Sequence, residues 1–101
     1  MGSTGDKLTV VARLRVNPAH IDTVRPELLK LVEATRKEEA CIKYELHEDN
    51  TVPGRFVFFE NWTTRELWTE HMNSDHIKAF GVATAGKVDE FELFEMSQIE
   101  P

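Results

Sequence analysis

The sequence of 101 residues has little of several features that mark specialised classes of protein. Cys41 is its single cysteine, which excludes a disulfide within the chain and favours a reducing compartment, by default the cytoplasm. No apolar run approaches the roughly 20 residues of a membrane-spanning helix, and no signal-peptide-like apolar segment is present. We therefore expect no membrane partner.

Positive charge is also scarce. Lysine and arginine together number 12 against 18 aspartate and glutamate residues, a formal net charge of −6. A nucleic-acid-binding protein needs a basic face to replace the counterions of the phosphate backbone. Nucleic acid is therefore not an expected partner.

The remaining composition is that of a globular protein, with 41% hydrophobic and 30% charged residues. This length suits one domain that buries about two thirds of its extended-chain surface. We place a single domain at residues 8–99 and expect residues 1–7 to be a disordered terminus or a remnant of expression.

Alternation of apolar and polar residues predicts the first strand at Leu8–Val16. Asn17 and Pro18 stop it and start a helical pattern over residues 19–38. Pro26 interrupts this pattern, so we expect a kink or a loose first segment, with the regular helix starting near Pro26.

Three further strands are predicted, at residues 41–47, Arg55–Trp62 and 89–99. Residues 48–54 form a hairpin turn between the first two, and two short helices separate the last two. In the strand at 41–47, Ile42, Tyr44 and Leu46 are expected to share one face. The order β-α-β-β-α-β predicts an α+β, ferredoxin-like fold, in which helices cover one face of an antiparallel sheet.

The other face of this sheet keeps apolar side chains. Val11, Val57 and Phe59 point away from the predicted helices. An apolar sheet face left in water usually marks an interface. We therefore expect a homodimer whose sheets meet through these faces.

Side chains suited to chemistry are concentrated around the third predicted strand and the helices after it. Histidine exchanges a proton near neutral pH, so His71 and His76 are candidate general bases. Helical spacing places His71 beside Trp68 on the apolar face, and a break at residues 73–75 can turn His76 back toward it. Glu60 lies on the covered strand face, where a carboxylate needs a partner, and we expect that partner to be a histidine.

Aromatic and amide side chains around these three residues are candidates for the walls of a pocket for a flat substrate. The same residue types also build ordinary cores, and a buried histidine or glutamate can be purely structural, so both interpretations stay open. The candidate substrate-binding residues are Trp62, Trp68, Phe80 and Asn61.

A metal or cofactor is not expected. His71 and His76 lie five positions apart instead of at the i, i+4 spacing of helical zinc pairs, and no third ligand is evident beyond Glu60 or a distant histidine. The glycines are isolated, so no phosphate-binding loop is present.

Three segments resemble the antibiotic biosynthesis monooxygenase family, dimeric α+β barrels that include small quinol monooxygenases. These segments are LTVVARLRV with its following proline, TRKEEACIKYEL, and FVFFENWTTRELWTEHMNSDHIKAF. The residues that match the family patterns are Arg36, Glu38, Cys41 and Tyr44, then Phe56, Glu60, Trp62, His71, His76 and Phe80. Ala40 departs from the pattern, which has glycine there.

The resemblance implies a homodimer that oxidises an electron-rich dihydroxy-aromatic or polyketide-type substrate with O₂, without metal, haem or flavin. Haem-degrading relatives use an Asn-Trp-His set, which would fall on Ala12, His71 and Gly81. None of the three is kept, so haem degradation is disfavoured.

Three hypotheses of function follow. The leading one is a cofactor-independent monooxygenase acting on a quinol or related phenolic compound, with His71 or His76 as the base. The second is a non-catalytic dimer that binds a small ligand in the same pocket. The third is an isomerase or lyase acting on a small carbonyl metabolite. They differ in whether substrate is lost, and whether its loss consumes O₂.

Overall fold

The structure is a computed structural model that describes residues 7–101. Its strands are β1 (Leu8–Val16), β2 (Cys41–Glu48), β3 (Arg55–Trp62) and β4 (Val88–Met96). Its helices are α1 (Ile21–Arg36), preceded by a 3-10 turn at Pro18–His20, then α2 (Arg65–Met72) and α3 (Asp75–Ala83). Of the terminus predicted at residues 1–7, all but the exposed Lys7 lies outside the described residues.

The four strands form one sheet in the order β2-β3-β1-β4. Each neighbouring pair is antiparallel: β2 with β3, β3 with β1, and β1 with β4. The predicted α+β, ferredoxin-like fold is therefore confirmed, with α2 and α3 together in the place of the second helix. Within residues 7–101, no helix is both long and apolar enough to span a membrane.

The main core lies between α1 and the covered face of the sheet. Alternate side chains of β1 and β3 are buried there, as their period-2 pattern predicts. Val24 and Leu28 of α1 are fully buried against them. Each large apolar side chain buried in this way stabilises the fold by roughly 1.5–3 kcal/mol. The covered strand residues are Leu8, Val10, Ala12, Leu14, Val16, Phe56, Phe58, Glu60 and Trp62.

The predicted helix start at Pro26 is wrong. The α-helix begins at Ile21 and continues through Pro26. Proline removes one backbone hydrogen bond, the one that would reach the carbonyl of Asp22. Val24 and Leu28, fully buried on either side of Pro26, hold this turn against the sheet. Tertiary packing of that kind outweighs local propensity, and a sequence pattern read residue by residue misses it.

The predicted face of β2 is also wrong at one position. The pairing with β3 shifts between Cys41 and Lys43, so Ile42 is an extra residue in the strand. A bulge of this kind re-aims the side chain next to it. Ile42 is 51% exposed, whereas Tyr44 is buried as predicted.

β4 is an edge strand, because it pairs only with β1 among the described strands. It ends at Met96, before the predicted end at Ile99. Its register places Phe94 opposite Val11, on the face that the helices leave uncovered. Together with Val57 and Phe59, these side chains form an apolar surface, the outer patch. Lys43 lies over the ring of Phe59, with its Nζ atom 5.9 Å from the ring centroid.

The glycine that follows the β2–β3 turn is fixed by its surroundings. Gly54 has φ of +89°, and a Cβ atom there would lie 2.9 Å from the carbonyl oxygen of Val16. The same two residues are joined by a backbone hydrogen bond of 2.8 Å from Val16 N to Gly54 O. This contact ties the turn to the end of β1.

Gly54→Ala should therefore lower the free energy of unfolding by roughly 2–4 kcal/mol, because left-handed strain and a backbone clash add. Gly86→Ala is the matched control: its φ is +75°, but a Cβ atom there meets nothing within 4 Å. Strain alone should cost about 1–2 kcal/mol. Urea unfolding of both variants measures the difference, and equal losses would contradict the clash.

Candidate active site

The end of α2 and the start of α3 bring the two histidines together, and both helices begin with a side-chain cap. Thr64 caps α2 by accepting a hydrogen bond from Leu67 N, and Ser74 caps α3 by accepting one from Ile77 N. His71 lies in the last turn of α2 and is 2% exposed, while His76 is the second residue of α3. The break between the two helices therefore brings both rings to one carboxylate.

The partner of both rings is Glu38, in the turn between α1 and β2. Its Oε2 atom lies 2.6 Å from Nδ1 of His71 and 2.7 Å from Nε2 of His76. The backbone of Glu38 is held by its N–H bond to Thr35 O and by its carbonyl, which accepts from Cys41 N. One carboxylate oxygen thus joins three segments of the chain.

Glu60 was the expected partner of a histidine, and this prediction is wrong. Its Oε1 atom accepts a hydrogen bond of 2.9 Å from Nε1 of Trp62, two residues along β3. Glu60 is 4% exposed, and this burial raises the pKa of its carboxyl to about 7; the negative charge of Glu38 adds to the effect. At neutral pH the protonated form of this carboxyl is therefore accessible.

Trp62 packs against the ring of His71 in the core and does not line the main cavity. It is fully buried, and its ring centroid lies 4.5 Å from that of His71 at an interplanar angle of 35°. Trp68 is also buried in the core, and within residues 7–101 its Nε1 atom has no hydrogen-bond partner. Neither tryptophan borders the main cavity, so the prediction that they form its walls is wrong.

Asn61 lies on the opposite face of β3 from Glu60 and Trp62. Its Nδ2 atom donates to Oγ1 of Thr9 at 2.9 Å, across to β1. It does not border the main cavity. The period-2 alternation of a strand already excludes Asn61 from the face of Glu60, so the sequence contained the information against this assignment.

A cavity of about 430 Å³ lies between the helices α2 and α3 and the sheet, including its edge strand β4. Its walls are mostly apolar, and Phe80 is among them, as predicted. The polar side chains that border it include Glu60, His71 and Tyr44. The apolar wall residues are Ala12, Leu14, Leu31, Phe58, Met72, Ile77, Phe80, Ala85, Val88, Phe91 and Leu93.

His76 does not border this cavity, although it was predicted to share one with His71. It lies in a second cleft of about 190 Å³, together with Leu31, Ala34 and Phe80. Its side chain is 27% exposed, against 1% for His71. Of these two histidines, His71 is therefore the one that presents its imidazole to a molecule bound in the main cavity.

Burial sets the charge of the residues at this cavity. It lowers the pKa of His71, and the opposing effect of Glu38 does not cancel it. The ring is therefore neutral at pH 7 and able to accept a proton. Burial also raises the pKa of Tyr44 well above its usual range, so its hydroxyl stays protonated and can donate a hydrogen bond.

Glu38, His71 and His76 are also the one group among residues 7–101 with a metal-binding set of ligands, all within 4.8 Å of one another. The sequence argument against a metal relied on a missing third ligand, and Glu38 supplies it. The distances of 2.6 and 2.7 Å are hydrogen-bond lengths, however, whereas two ligands on one zinc ion lie about 3.3 Å apart. The cluster would have to open before it could hold a cation.

Comparisons with known proteins agree with this architecture. Residues 7–82 match the sequence model of the family described as antibiotic biosynthesis monooxygenase. The chain belongs to this family. A crystal structure of an antibiotic biosynthesis monooxygenase superposes with a TM-score of 0.86 at 32% identity, covering 92% of this chain and 99% of that one.

Two curated relatives have slightly lower sequence identity to this chain than that crystal structure. The probable quinol monooxygenase YgiN of Escherichia coli K12 is 29% identical over 96 residues, which cover 85% of this chain and 92% of YgiN. The uncharacterized protein sll1783 of Synechocystis is 28% identical over 75 residues, 74% of this chain. The matched segment spans only 51% of sll1783, so this chain corresponds to about half of that protein.

The raised pKa of Glu60 predicts a pH-dependent effect on stability. Its folded value of about 7 lies above the ordinary 4.5, so protonation of Glu60 stabilises the fold below pH 4.5, and this contribution is lost as pH rises through 7. Glu60→Gln, which can still accept from Trp62, should therefore raise the free energy of unfolding by roughly 3 kcal/mol at pH 8 and by little at pH 4.

Chemical denaturation at both pH values measures this difference. Glu33→Gln on the exposed side of α1 is the control, since it removes the same charge from a solvated position and should change stability little at either pH. An equal effect of Glu60→Gln at pH 4 and pH 8 would contradict the assignment.

Proposed function

We propose that this protein is a monooxygenase that oxidises a quinol or related phenolic compound with O₂, using no metal or organic cofactor, with His71 as the base. The observation that carries this proposal is a neutral imidazole at the wall of an apolar cavity of about 430 Å³. The family and the name of the relative YgiN support the same substrate class.

The first step is a proton transfer. The substrate hydroxyl gives its proton to Nε2 of His71, because Nδ1 is already bonded to Glu38. The carboxylate of Glu38 stabilises the imidazolium that forms, and the substrate becomes an electron-rich anion. The hydroxyl of Tyr44 and the protonated form of Glu60 border the same cavity and can donate hydrogen bonds to substrate oxygens.

The second step needs no electron carrier, because the anion itself reduces O₂. One electron passes from the anion to O₂, and the two radicals join through a new carbon–oxygen bond to give a peroxide. Cleavage of its O–O bond leaves a carbonyl on the ring. The distal oxygen leaves as water, with one proton returned by His71 and the other lost from the ring carbon that becomes the carbonyl. A quinol and O₂ thus give a hydroxyquinone and water.

The protein contributes a base, orientation and exclusion of bulk water. Phe58 and Phe80 provide flat apolar walls against which an aromatic ring can pack. Of the proposed catalytic residues, His71 and Glu60 keep a direct role, whereas His76 lies outside this cavity.

His71→Asn should lower kcat/KM for a reactive quinol at least about 100-fold, the usual contribution of a general base. The protein is treated with a chelator, and O₂ uptake is measured across a panel of quinols. His20→Asn, before α1 and away from the cavity, is the control and should keep wild-type activity. Autoxidation without protein is subtracted.

The wild-type rate should largely persist at pH 6.5, the ordinary pKa of histidine, and fall only at lower pH, because burial lowers the pKa of His71 and protonation removes the base. Substrate loss without O₂ uptake would indicate the isomerase or lyase. Binding without any turnover would indicate the non-catalytic dimer. Either result contradicts the proposal.

We also propose that the protein is a homodimer in which two outer patches meet. Val11, Val57 and Phe59 are only half-buried in the single chain, and Phe94 is 41% exposed. Pairing two such faces removes this apolar surface from water. The cytoplasmic location expected from the single cysteine stays a prediction.

Sedimentation at micromolar concentration should give twice the chain mass. Phe94→Glu should shift the protein to monomer, because the patch would then bury an unpaired charge. Leu29→Glu, a similar change at an exposed position of α1, should leave the dimer intact. A wild-type monomer, or a Phe94→Glu variant that remains dimeric, would reject this interface.

A further inference from the structure

Glu38 bonds two imidazole rings through one oxygen atom, and the two rings face different spaces. His71 borders the main cavity, and His76 borders the second cleft. Glu38 itself borders neither of these. Its carboxylate is therefore placed to act on His71 and not on a molecule bound in the cavity.

An ionised carboxylate only accepts hydrogen bonds, so both ring nitrogens near Oε2 of Glu38 must carry a proton. For His71 this atom is Nδ1, at 2.6 Å. A neutral ring holds one proton, so Nε2 of His71 then keeps its lone pair. Among residues 7–101, Nε2 has no hydrogen-bond partner, since the bonds of this ring go through Nδ1. A neutral histidine in water prefers the other tautomer, with the proton on Nε2.

His76 restricts Glu38 in turn. A glutamate side chain on a turn has three rotatable bonds, and ordering them costs conformational entropy. The second donor, Nε2 of His76 at 2.7 Å, holds the same oxygen that His71 needs. His76 also carries no contact with the main cavity. Its effect on a bound molecule is therefore indirect, and Glu38 is the hydrogen-bond partner that it shares with His71.

Glu60 cannot replace Glu38 in this role. It bonds to Trp62, and its pKa near 7 leaves it uncharged for much of the time at neutral pH. Glu38 is thus placed to orient the base, whereas Glu60 borders the cavity.

We propose that Glu38 is a positioning residue that fixes His71 in the tautomer with its proton on Nδ1, and that His76 holds Glu38 in place instead of acting as a base. The catalytic meaning of this inference rests on the proposed function. The tautomer itself is a property of the resting protein and can be measured without substrate.

Long-range proton–nitrogen NMR spectra of the isotope-labelled protein distinguish the two neutral tautomers of each ring. At a pH where His71 is neutral, we expect the wild-type ring to carry its proton on Nδ1. In Glu38→Leu, which removes the acceptor at similar size, the Nε2–H form should predominate. Glu39→Leu, at the exposed neighbouring position, is the control and should leave the wild-type spectrum.

Glu38→Gln is a second variant in case leucine disturbs the turn. An amide can donate as well as accept, so both tautomers of His71 should appear. A wild-type His71 that carries its proton on Nε2, or a tautomer unchanged in both Glu38 variants, would overturn the inference. Circular dichroism and the melting temperature verify that each variant is folded.

Turnover separates this inference from the proposed function. Glu38→Leu should lower kcat about 10–100-fold with KM little changed, as expected for the loss of a group that orients the base. His76→Gln keeps a donor and should retain most of the activity, whereas His76→Phe should behave like Glu38→Leu. The Nδ1–H tautomer without any quinol oxidation would reject the function alone. Equal loss in His76→Gln and His76→Phe would reject the holding role of His76.

Discussion

The hydrogen bonds to a single oxygen of Glu38 constrain the helical half of this protein. They join the turn after α1, the last turn of α2 and the first turn of α3. A ring as deeply buried as His71 needs such a partner, because a buried polar group without one costs about 1–3 kcal/mol. Apolar contacts tolerate sliding and repacking, but two donors to one atom do not. The break between α2 and α3 is therefore fixed by polar contacts as well as by packing.

Much of the architecture could be predicted from the sequence, because it depends on local periodicity. β1 and β3 were predicted at their observed bounds, since one face of each is buried and the alternation is regular. Prediction was wrong at Pro26 and Ile42. At Pro26, packing against distant residues overrides local propensity. At Ile42, an extra residue shifts the strand register. Neither effect leaves a local signal in the sequence.

The site was predicted less completely for the same reason. His71 and His76 were identified from their spacing on two short helices, and Phe80 from its place in the later of these, α3. Glu38 lies 33 positions before His71, so its contact depends on how α1 ends against α2, which no sequence period encodes. Its one sequence signal was membership of the matched segment TRKEEACIKYEL, where it was not assigned a role.

β4 links the two surfaces of the sheet. Phe91 and Leu93 border the main cavity, whereas Phe94, between β4's inward positions, belongs to the outer patch opposite Val11. β4 is an edge strand with exposed side chains, held by its pairing with β1 and by an ion pair between its Glu95 and Arg65 of α2. Any contact that orders the outer side of this strand must also order its inner side, because successive side chains share one backbone. A shift of the β4 backbone would therefore change both the cavity wall and the outer patch.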